Sequence, residues 1–171
     1  MANAARTVVA GLTMVIALAA ATETHAAGNV RAADPSLAAL IAETAGRSAT
    51  LRQMIEAIDA IDGFVYVERG RCGHGVRARL DFMVAAGPNR FLRVTLDDRS
   101  TAAQAMASLG HELRHALEVL AEPAVTSAAA MYNFYHRTAM RRGGGFETAA
   151  AIQAGDTVRE ELRKARVPGG K

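Results

Sequence analysis

The five residues His111-Glu112-Leu113-Arg114-His115 form an H-E-x-x-H string within a segment whose composition is typical of a helix. Histidines four residues apart lie one turn apart on the same face of a helix. Their imidazoles can then bind one Zn²⁺ ion, with Zn–N bonds of ~2.0–2.1 Å. Glu112 is the neighbouring carboxylate that can act on a water at such an ion. The string therefore predicts a metal-binding helix.

The residues around this string predict where its helix begins and what it packs against. Thr101 and Gln104 have the spacing of a capping box, in which each side chain binds the backbone N–H of the other residue. Gly110 lowers helix propensity by about 1 kcal/mol, which indicates that another element approaches closely there. We therefore predict a capped helix over residues 102–121 that buries an apolar stripe next to the histidines.

The chain before this helix is predicted to form helices and then strands. Apolar residues recur at steps of three and four over residues 35–63, with an interruption near Gly46, as in one or two amphipathic helices. Segments of strand character follow at residues 64–68, 76–82 and 91–97, and glycine-rich turns separate them. They predict a small antiparallel or mixed sheet of about three strands, joined by hairpins.

The chain after the motif helix is predicted to be helical again. One segment covers residues 124–140, and a further helix starts at Phe146 or Glu147 and continues to about residue 166. Residues 27–35 have the composition of a flexible leader. No internal repeat divides the chain, so residues 27–171 predict a single domain. We expect an α+β fold in which the sheet packs against the H-E-x-x-H helix and the further helices.

Composition and charge restrict the class of partner. Hydrophobic residues make up 50% of the 171-residue chain, aromatic residues only 5%, and the formal net charge is +3. This mild positive charge lacks the clustering that a nucleic-acid-binding surface needs, so we expect no nucleic-acid partner.

The first residues predict export. Arg6 gives a positive start, residues 8–21 form an apolar run, and Thr24-His25-Ala26 places small residues where a signal peptidase cleaves. We predict a signal peptide over residues 1–26, a periplasmic or extracellular mature protein, and no stable membrane insertion after cleavage. Cys72 is the single cysteine, so no intramolecular disulfide can form, and a bound metal would help to stabilise a small exported domain.

The stretch Ser108-Leu109-Gly110-His111-Glu112-Leu113-Arg114-His115-Ala116-Leu117 resembles the active-site helix of the zincin metallopeptidases. The order of elements over residues 64–160 is similar as well. The resemblance implies a small twisted sheet before the helix, with an edge strand that binds substrate, and a third protein ligand after it. We expect the strand at 91–97 to be that edge. Arg114 departs from the extended family pattern, which prefers uncharged residues at this position.

The resemblance also bears on the third metal ligand. The continuation found in metzincins is absent, because Glu118 and Ala121 occupy the places of its glycine and last histidine. Glu118 lies seven residues after His111, too far along the axis to join both histidines easily, and is a better outer partner that orients His115. Gluzincins instead use a glutamate from a downstream helix, a role that Glu147 fits. The competing candidates are His136 and then, more weakly, Asp156 and Glu122.

The implied chemistry is metal-assisted hydrolysis of a peptide or protein substrate. One Zn²⁺ ion on His111, His115 and Glu147 would activate water, and Glu112 would act as general base. Iron and manganese stay open as alternatives to zinc. The developing oxyanion needs a further donor, for which the candidates are three residues of the following helical segment: Tyr132, Tyr135 and His136.

Two rival interpretations stay open at this point. The first is a zinc-binding domain of the same fold that lacks hydrolytic activity and serves as a binding or regulatory module. The second is a metal-free interaction domain, whose histidines would face solvent or converge with no carboxylate. Cys72, in a glycine-rich turn with His74, could be an inhibitory fourth ligand or a free or intermolecularly paired thiol. The oligomeric state is not indicated.

Overall fold

A computed structural model describes residues 28–142 and 145–165 of the chain. The described residues form an α+β fold with five helices, one four-stranded mixed sheet and one two-stranded sheet. The predicted signal peptide and residues 166–171 lie outside the described residues. Within those two described ranges, no helix combines the length and the apolar character needed to cross a membrane.

Along the described chain, two helices precede the three long strands and three helices follow them. The helices are α1 (Pro35–Arg47), α2 (Ala49–Asp59), α3 (Ala102–Leu120), α4 (Ala128–Thr138) and α5 (Ala149–Ala165). The strands are β1 (Val30–Ala32), β2 (Gly63–Gly70), β3 (Ala78–Ala86), β4 (Asn89–Asp97), β5 (Met140–Arg142) and β6 (Gly145–Glu147).

The main sheet has four strands instead of about three, and it is mixed, as one of the two predictions allowed. Its strand order is β1-β2-β4-β3, with β1 and β4 parallel to β2 and only β3 antiparallel to its neighbour. The helices α1 and α2 form the long crossover that parallel pairing of β1 with β2 requires. The three-residue strand β1 was not predicted, because residues 27–35 were expected to be a flexible leader. A short strand without alternating polarity leaves too little pattern to detect.

The edge of the sheet also differs from the prediction. The strand expected at residues 91–97 corresponds to β4, which lies inside the sheet between β2 and β3. The edge strand is β3, which returns to β4 through a tight turn at Gly87, whose φ of +59° suits glycine. The prediction was wrong because alternation of polarity identifies a strand but does not order the strands in a sheet.

The H-E-x-x-H helix α3 lies at the centre of the molecule. The predicted capping box is present, with hydrogen bonds of 3.0 and 3.3 Å between Thr101 and Gln104. Leu109 and Leu113 are fully buried, as are Leu92 and Val94 of β4, and α3 also packs against α2 and α5. Buried residues surround most of the helix rather than one stripe, as expected of a helix enclosed by other elements.

The last helix starts later than predicted. Glu147 is the final residue of β6 and Thr148 precedes α5, whose first residue is Ala149. The Thr148 hydroxyl accepts a hydrogen bond from the Ala151 N–H at 3.1 Å, as an N-cap residue does. Glu147 is therefore held by a hairpin instead of by a helix.

Candidate metal centre

Helix α3 presents its two motif histidines to one side. The imidazole rings of His111 and His115 lie with their centroids 4.8 Å apart and their planes at 77°. His115 is 5% exposed, so its ring closes the interior end of the site. The side chain of His111 is 21% exposed, so its ring borders solvent. A four-residue step on a helix produces this stacking directly.

The hairpin of β5 and β6 brings a carboxylate to the two rings. The Oε2 atom of Glu147 lies 3.0 Å from Nε2 of His111 and 3.9 Å from Nε2 of His115. The three side chains each offer one ligand atom, and these atoms all lie within 4.8 Å of one another. The structure thus brings together the three residues predicted as ligands from the motif and the resemblance.

Small residues allow α5 to approach α3 closely enough to support this arrangement. A Cβ atom added at Gly110 would lie 2.6 Å from Cγ2 of Val158, and one added at Gly155 would lie 3.1 Å from Cβ of His111. Both contacts are shorter than side chains normally allow. The close approach predicted at Gly110 is therefore confirmed, and the β6–α5 junction lies beside the motif because these positions lack side chains.

Two buried polar atoms of the metal group form no hydrogen bond of normal geometry, although Oε2 of Glu147 lies only 3.0 Å from Nε2 of His111. They are Nε2 of His115 and Oε2 of Glu147, and they face one another at 3.9 Å. Unpaired buried polar groups are costly, and in native proteins they mark a missing partner or a functional role. Ligands of a tetrahedral zinc ion with bonds of ~2.0–2.1 Å lie roughly 3.3 Å apart, and the separations of 3.0 and 3.9 Å between Glu147 and the two histidines are close to this spacing.

The surroundings of His115, Glu147 and Glu112 determine how each of these side chains ionises. Burial lowers the pKa of His115, but the nearby carboxylates of Glu118 and Glu147 outweigh burial and raise the pKa to about 9. The imidazoles of His111 and His115 lower the pKa of Glu147 to about 2. Burial raises the pKa of Glu112 to about 7, against the opposing effect of both histidines. Glu147 is therefore anionic, and Glu112 can exchange a proton near neutral pH.

A cleft of about 660 Å³ opens in front of the metal group. Its lining includes Glu112 and other residues of α3 as well as residues 75–80, which lead into and begin the edge strand β3. Asp97 fixes the turn before that strand, because its carboxylate accepts a hydrogen bond from the backbone N–H of Cys72 at 3.0 Å. The cleft can therefore receive an extended chain beside the free edge of β3.

The predicted oxyanion donors do not meet in this cleft. Tyr135 borders it, but its buried hydroxyl donates a hydrogen bond to the backbone carbonyl of His115 at 2.9 Å. Tyr132 and His136 are exposed on α4, and their rings stack on each other with centroids 6.0 Å apart. Among the described residues, neither of them borders the cleft. Sequence spacing placed all three on one helix but could not show which side of it faces the metal group.

The other candidate ligands also lie apart from the group. His136 is exposed and Asp156 borders the cleft, but neither converges with the histidines. The carboxylate of Glu122 accepts from the backbone N–H of Ala124 in a loop. Cys72 is buried, and its thiol contacts the Thr95 carbonyl at 3.6 Å. In the described part of the chain, Glu147 alone joins the motif histidines.

Two residues beside the metal group were not predicted to have roles there. Thr148 donates a hydrogen bond to Oε1 of Glu118 at 2.7 Å, and Nε of Arg114 lies 3.6 Å from the same oxygen. The other Glu118 oxygen is 3.0 Å from Nδ1 of His115, the contact expected from their three-residue spacing. A threonine at the start of a helix was a visible N-cap signal, but its contact with Glu118 depends on tertiary packing.

Comparisons of the chain with models of known protein families, with curated proteins and with solved structures give no significant match. The interpretation of the site therefore depends on its geometry and chemistry.

Proposed function

We propose that this chain is an exported zinc-dependent peptidase whose single Zn²⁺ ion is held by His111, His115 and Glu147. The proposal depends above all on one observation, the convergence of ligand atoms of His111, His115 and Glu147 within 4.8 Å of one another beside a cleft. The resemblance of the motif helix to that of the zincins supports the same conclusion. The convergence of both histidines with the carboxylate of Glu147 supports a metal site over the metal-free rival.

The donor set suits zinc. Two imidazole nitrogens and one carboxylate oxygen are typical of catalytic zinc sites, which keep a further position open. A bound zinc ion would supply Lewis acidity and lower the pKa of coordinated water toward ~7. Two histidines and one carboxylate also suit non-haem iron, so the identity of the metal is part of what must be measured.

Glu112 is the residue that we assign as general base. It follows His111 on the same helix turn, it is 7% exposed, and it borders the cleft. A carboxylate with a pKa of about 7 can take a proton from water and return it to a leaving amine, because both protonation states are populated near neutral pH. Its burial keeps that proton from exchanging freely with bulk water.

The free edge of β3 supports a peptide as the substrate. An extended chain can add to an exposed strand through backbone hydrogen bonds, which depend little on the substrate's side chains. The β3 residues Ala78 and Leu80 border the same cleft as the metal group. This strand replaces the strand at 91–97 in the substrate-binding role.

A catalytically silent zinc-binding module is a second candidate, and one observation favours it. None of the three predicted oxyanion donors presents a free hydroxyl or imidazole to the cleft within the described residues. Such a module would use the same three ligands but would stabilise the fold or hold a partner instead of cleaving it.

Metal analysis and peptide digestion together separate these candidates. Protein purified without a histidine tag should contain one zinc ion per chain, and His111→Ala and His115→Ala should lose it. Incubation of the zinc-loaded protein with a blocked random peptide pool should then give cleavage products by mass spectrometry, and Glu112→Gln should abolish them. Bound zinc without peptide cleavage would exclude the peptidase and support the catalytically silent module. Protein that binds no zinc would contradict both candidates.

Export can be tested separately. We propose that residues 1–26 direct secretion, and amino-terminal sequencing of protein from the periplasm or medium should then begin at residue 27 or 28. Full-length protein that stays in the cytosol would exclude this part of the proposal.

A further inference from the structure

Glu118 contacts two elements of the metal site at once. It lies on α3, one turn after His115, and its side chain is 12% exposed. Its Oε2 atom lies 3.0 Å from Nδ1 of His115, while Oε1 accepts a hydrogen bond from the hydroxyl of Thr148 at 2.7 Å. Thr148 immediately follows Glu147 in the chain. One carboxylate therefore connects a motif histidine with the residue beside the third ligand.

The hydrogen-bond pattern fixes which atom donates at each contact. The Thr148 hydroxyl already accepts from the Ala151 N–H at 3.1 Å, so its own proton is available for Glu118. An ionised carboxylate only accepts, and the guanidinium of Arg114, 3.6 Å from Oε1, favours that ionised form. The side chain of Glu118 therefore receives hydrogen bonds on both of its oxygens.

This pattern sets the tautomer of His115. In the neutral ring that metal binding requires, Nδ1 carries the proton because Glu118 accepts there, and the lone pair lies on Nε2. Nε2 is the atom that faces Oε2 of Glu147 at 3.9 Å. Glu118 thus directs the metal-binding nitrogen of His115 toward the third ligand.

The same carboxylate restrains the position of Glu147. The strand β6 has only three residues and pairs with the equally short β5, so the hairpin by itself defines its position weakly. The hydrogen bond from Thr148 to Glu118 attaches the end of β6 to the face of α3 that carries the histidines. A helix and a hairpin that are distant in sequence are joined at the point where their ligands meet.

We propose that Glu118 is a positioning residue for both metal-binding elements, and that it sets Glu147 through the hydroxyl of Thr148. The inference rests on the proposed zinc site and adds that tight zinc binding requires the hydrogen bond between Thr148 and Glu118. Arg114, which departs from the zincin pattern, then has a role, because it compensates the charge of Glu118. Outer partners of this kind typically contribute ~10–100-fold to metal affinity.

The test is the zinc dissociation constant of the full mature chain, measured by competition with a chromogenic chelator. Thr148→Val removes the hydroxyl at nearly constant volume and should weaken zinc binding by ~10–100-fold. Thr148→Ser keeps the hydroxyl and should restore the wild-type affinity. In a double-mutant cycle, Glu118→Ala with Thr148→Val should bind zinc no more weakly than Glu118→Ala alone, because both changes break one connection.

Loss of the N-cap of α5 needs its own control. Ser127 caps α4 in the same way, with its hydroxyl accepting from the Ala130 N–H at 3.1 Å, and α4 supplies no metal ligand. Ser127→Ala should lower the melting temperature of the metal-free protein as Thr148→Val does, yet leave zinc affinity unchanged. In zinc-loaded protein, ¹⁵N spectra should show the proton of His115 on Nδ1, and Glu118→Ala should weaken that signature.

The outcomes distinguish this inference from the proposed function. Zinc binding that depends on Glu147 but is unchanged in folded Thr148→Val, or additive effects in the cycle, would overturn the positioning role alone. Wild-type protein that binds no zinc would overturn both. If Thr148→Val does not fold, Glu118→Asp provides the test. The shorter aspartate side chain cannot reach His115 and Thr148 together, so this variant should bind zinc more weakly. Unchanged zinc affinity in Glu118→Asp would overturn the inference.

Discussion

Nε2 of His115 and Oε2 of Glu147 are buried atoms that face each other at 3.9 Å, and neither forms a hydrogen bond of normal geometry, although Oε2 also lies 3.0 Å from Nε2 of His111. The first atom belongs to the central helix α3 and the second to the short strand β6. Water or protein groups normally satisfy buried polar atoms, so two that converge indicate a missing common partner. A metal ion is the partner that their chemistry fits.

Removal of the third ligand should affect metal binding more than removal of its outer partner. We expect Glu147→Ala to weaken zinc affinity by more than the ~10–100-fold typical of outer partners, because a direct bond is lost. Glu118→Ala should stay within that range. Chelator competition on both variants checks the order, and a stronger effect of Glu118→Ala would discard Glu147 as a ligand.

Glu112→Gln should separate metal binding from catalysis. The amide keeps the size of the carboxylate but cannot accept a proton, so we expect retained zinc and a loss of hydrolysis of at least ~10²–10⁴-fold. Glu56→Gln is the matched control, because Glu56 is exposed on α2 and should leave both properties unchanged. Peptide hydrolysis that continues at the wild-type rate in Glu112→Gln would rule out the proposed base.

Gly110→Ala should destabilise the protein although alanine is the better helix former. The gain in helix propensity is about 1 kcal/mol, but the added methyl would lie 2.6 Å from Cγ2 of the β-branched Val158. Overpacking of this kind costs ~1–3 kcal/mol, and we expect a net loss of about 1 kcal/mol or more in the free energy of unfolding.

The control for Gly110→Ala is a glycine with free space around it. Gly46, in the exposed last turn of α1, has no atom within 4 Å of an added Cβ, so Gly46→Ala should stabilise by up to about 1 kcal/mol. Urea unfolding of both variants measures the difference. Equal stabilisation in both would mean that α3 and α5 do not approach as described.

Tyr135→Phe should affect stability more than chemistry. The hydroxyl bonded to the His115 carbonyl is buried, and its loss should cost about 1 kcal/mol in the free energy of unfolding. Tyr132→Phe should cost little, since the Tyr132 side chain is half exposed to water. If Tyr135 instead donated to the oxyanion, kcat would fall by ~10²–10³-fold without a matching loss of stability.

The ion pair between Asp97 and Arg99 should make stability depend on pH. The Arg99 guanidinium, hydrogen-bonded to Asp97, holds the pKa of this carboxyl well below its usual value. A carboxyl with a lowered pKa stabilises the folded state above its unfolded pKa of ~3.9, and that contribution is lost as pH falls toward the folded value. We expect Asp97→Asn to lower the melting temperature at pH 7 and the difference from wild type to shrink below about pH 4. If the difference in melting temperature between Asp97→Asn and wild type is the same at every pH, the effect comes from packing and not from the ion pair.

Local patterns were sufficient for part of the fold. The bounds of α3 and its capping box followed from Thr101 and Gln104, because a cap depends on residues three apart in sequence. The strands β2, β3 and β4 were found from their apolar alternation, whereas β1 was missed because three residues are too few to show a period. The parallel pairing of β1 with β2 depends on the crossover of α1 and α2, and the internal place of β4 depends on its pairing with both β2 and β3, which local alternation does not show.

The sequence by itself determined the chemistry available to this protein: two histidines one turn apart, a glutamate between them and a candidate third ligand downstream. Only the tertiary structure decided how these groups meet. It placed Glu147 on a hairpin, moved the free sheet edge to β3, turned the Tyr135 hydroxyl toward the His115 carbonyl and joined Thr148 to Glu118. The physical reason is the sequence separation of the contacting residues. Helix periodicity determines which residues are neighbours within a few positions, whereas contacts between distant segments depend on how α3, α5 and the sheet pack together.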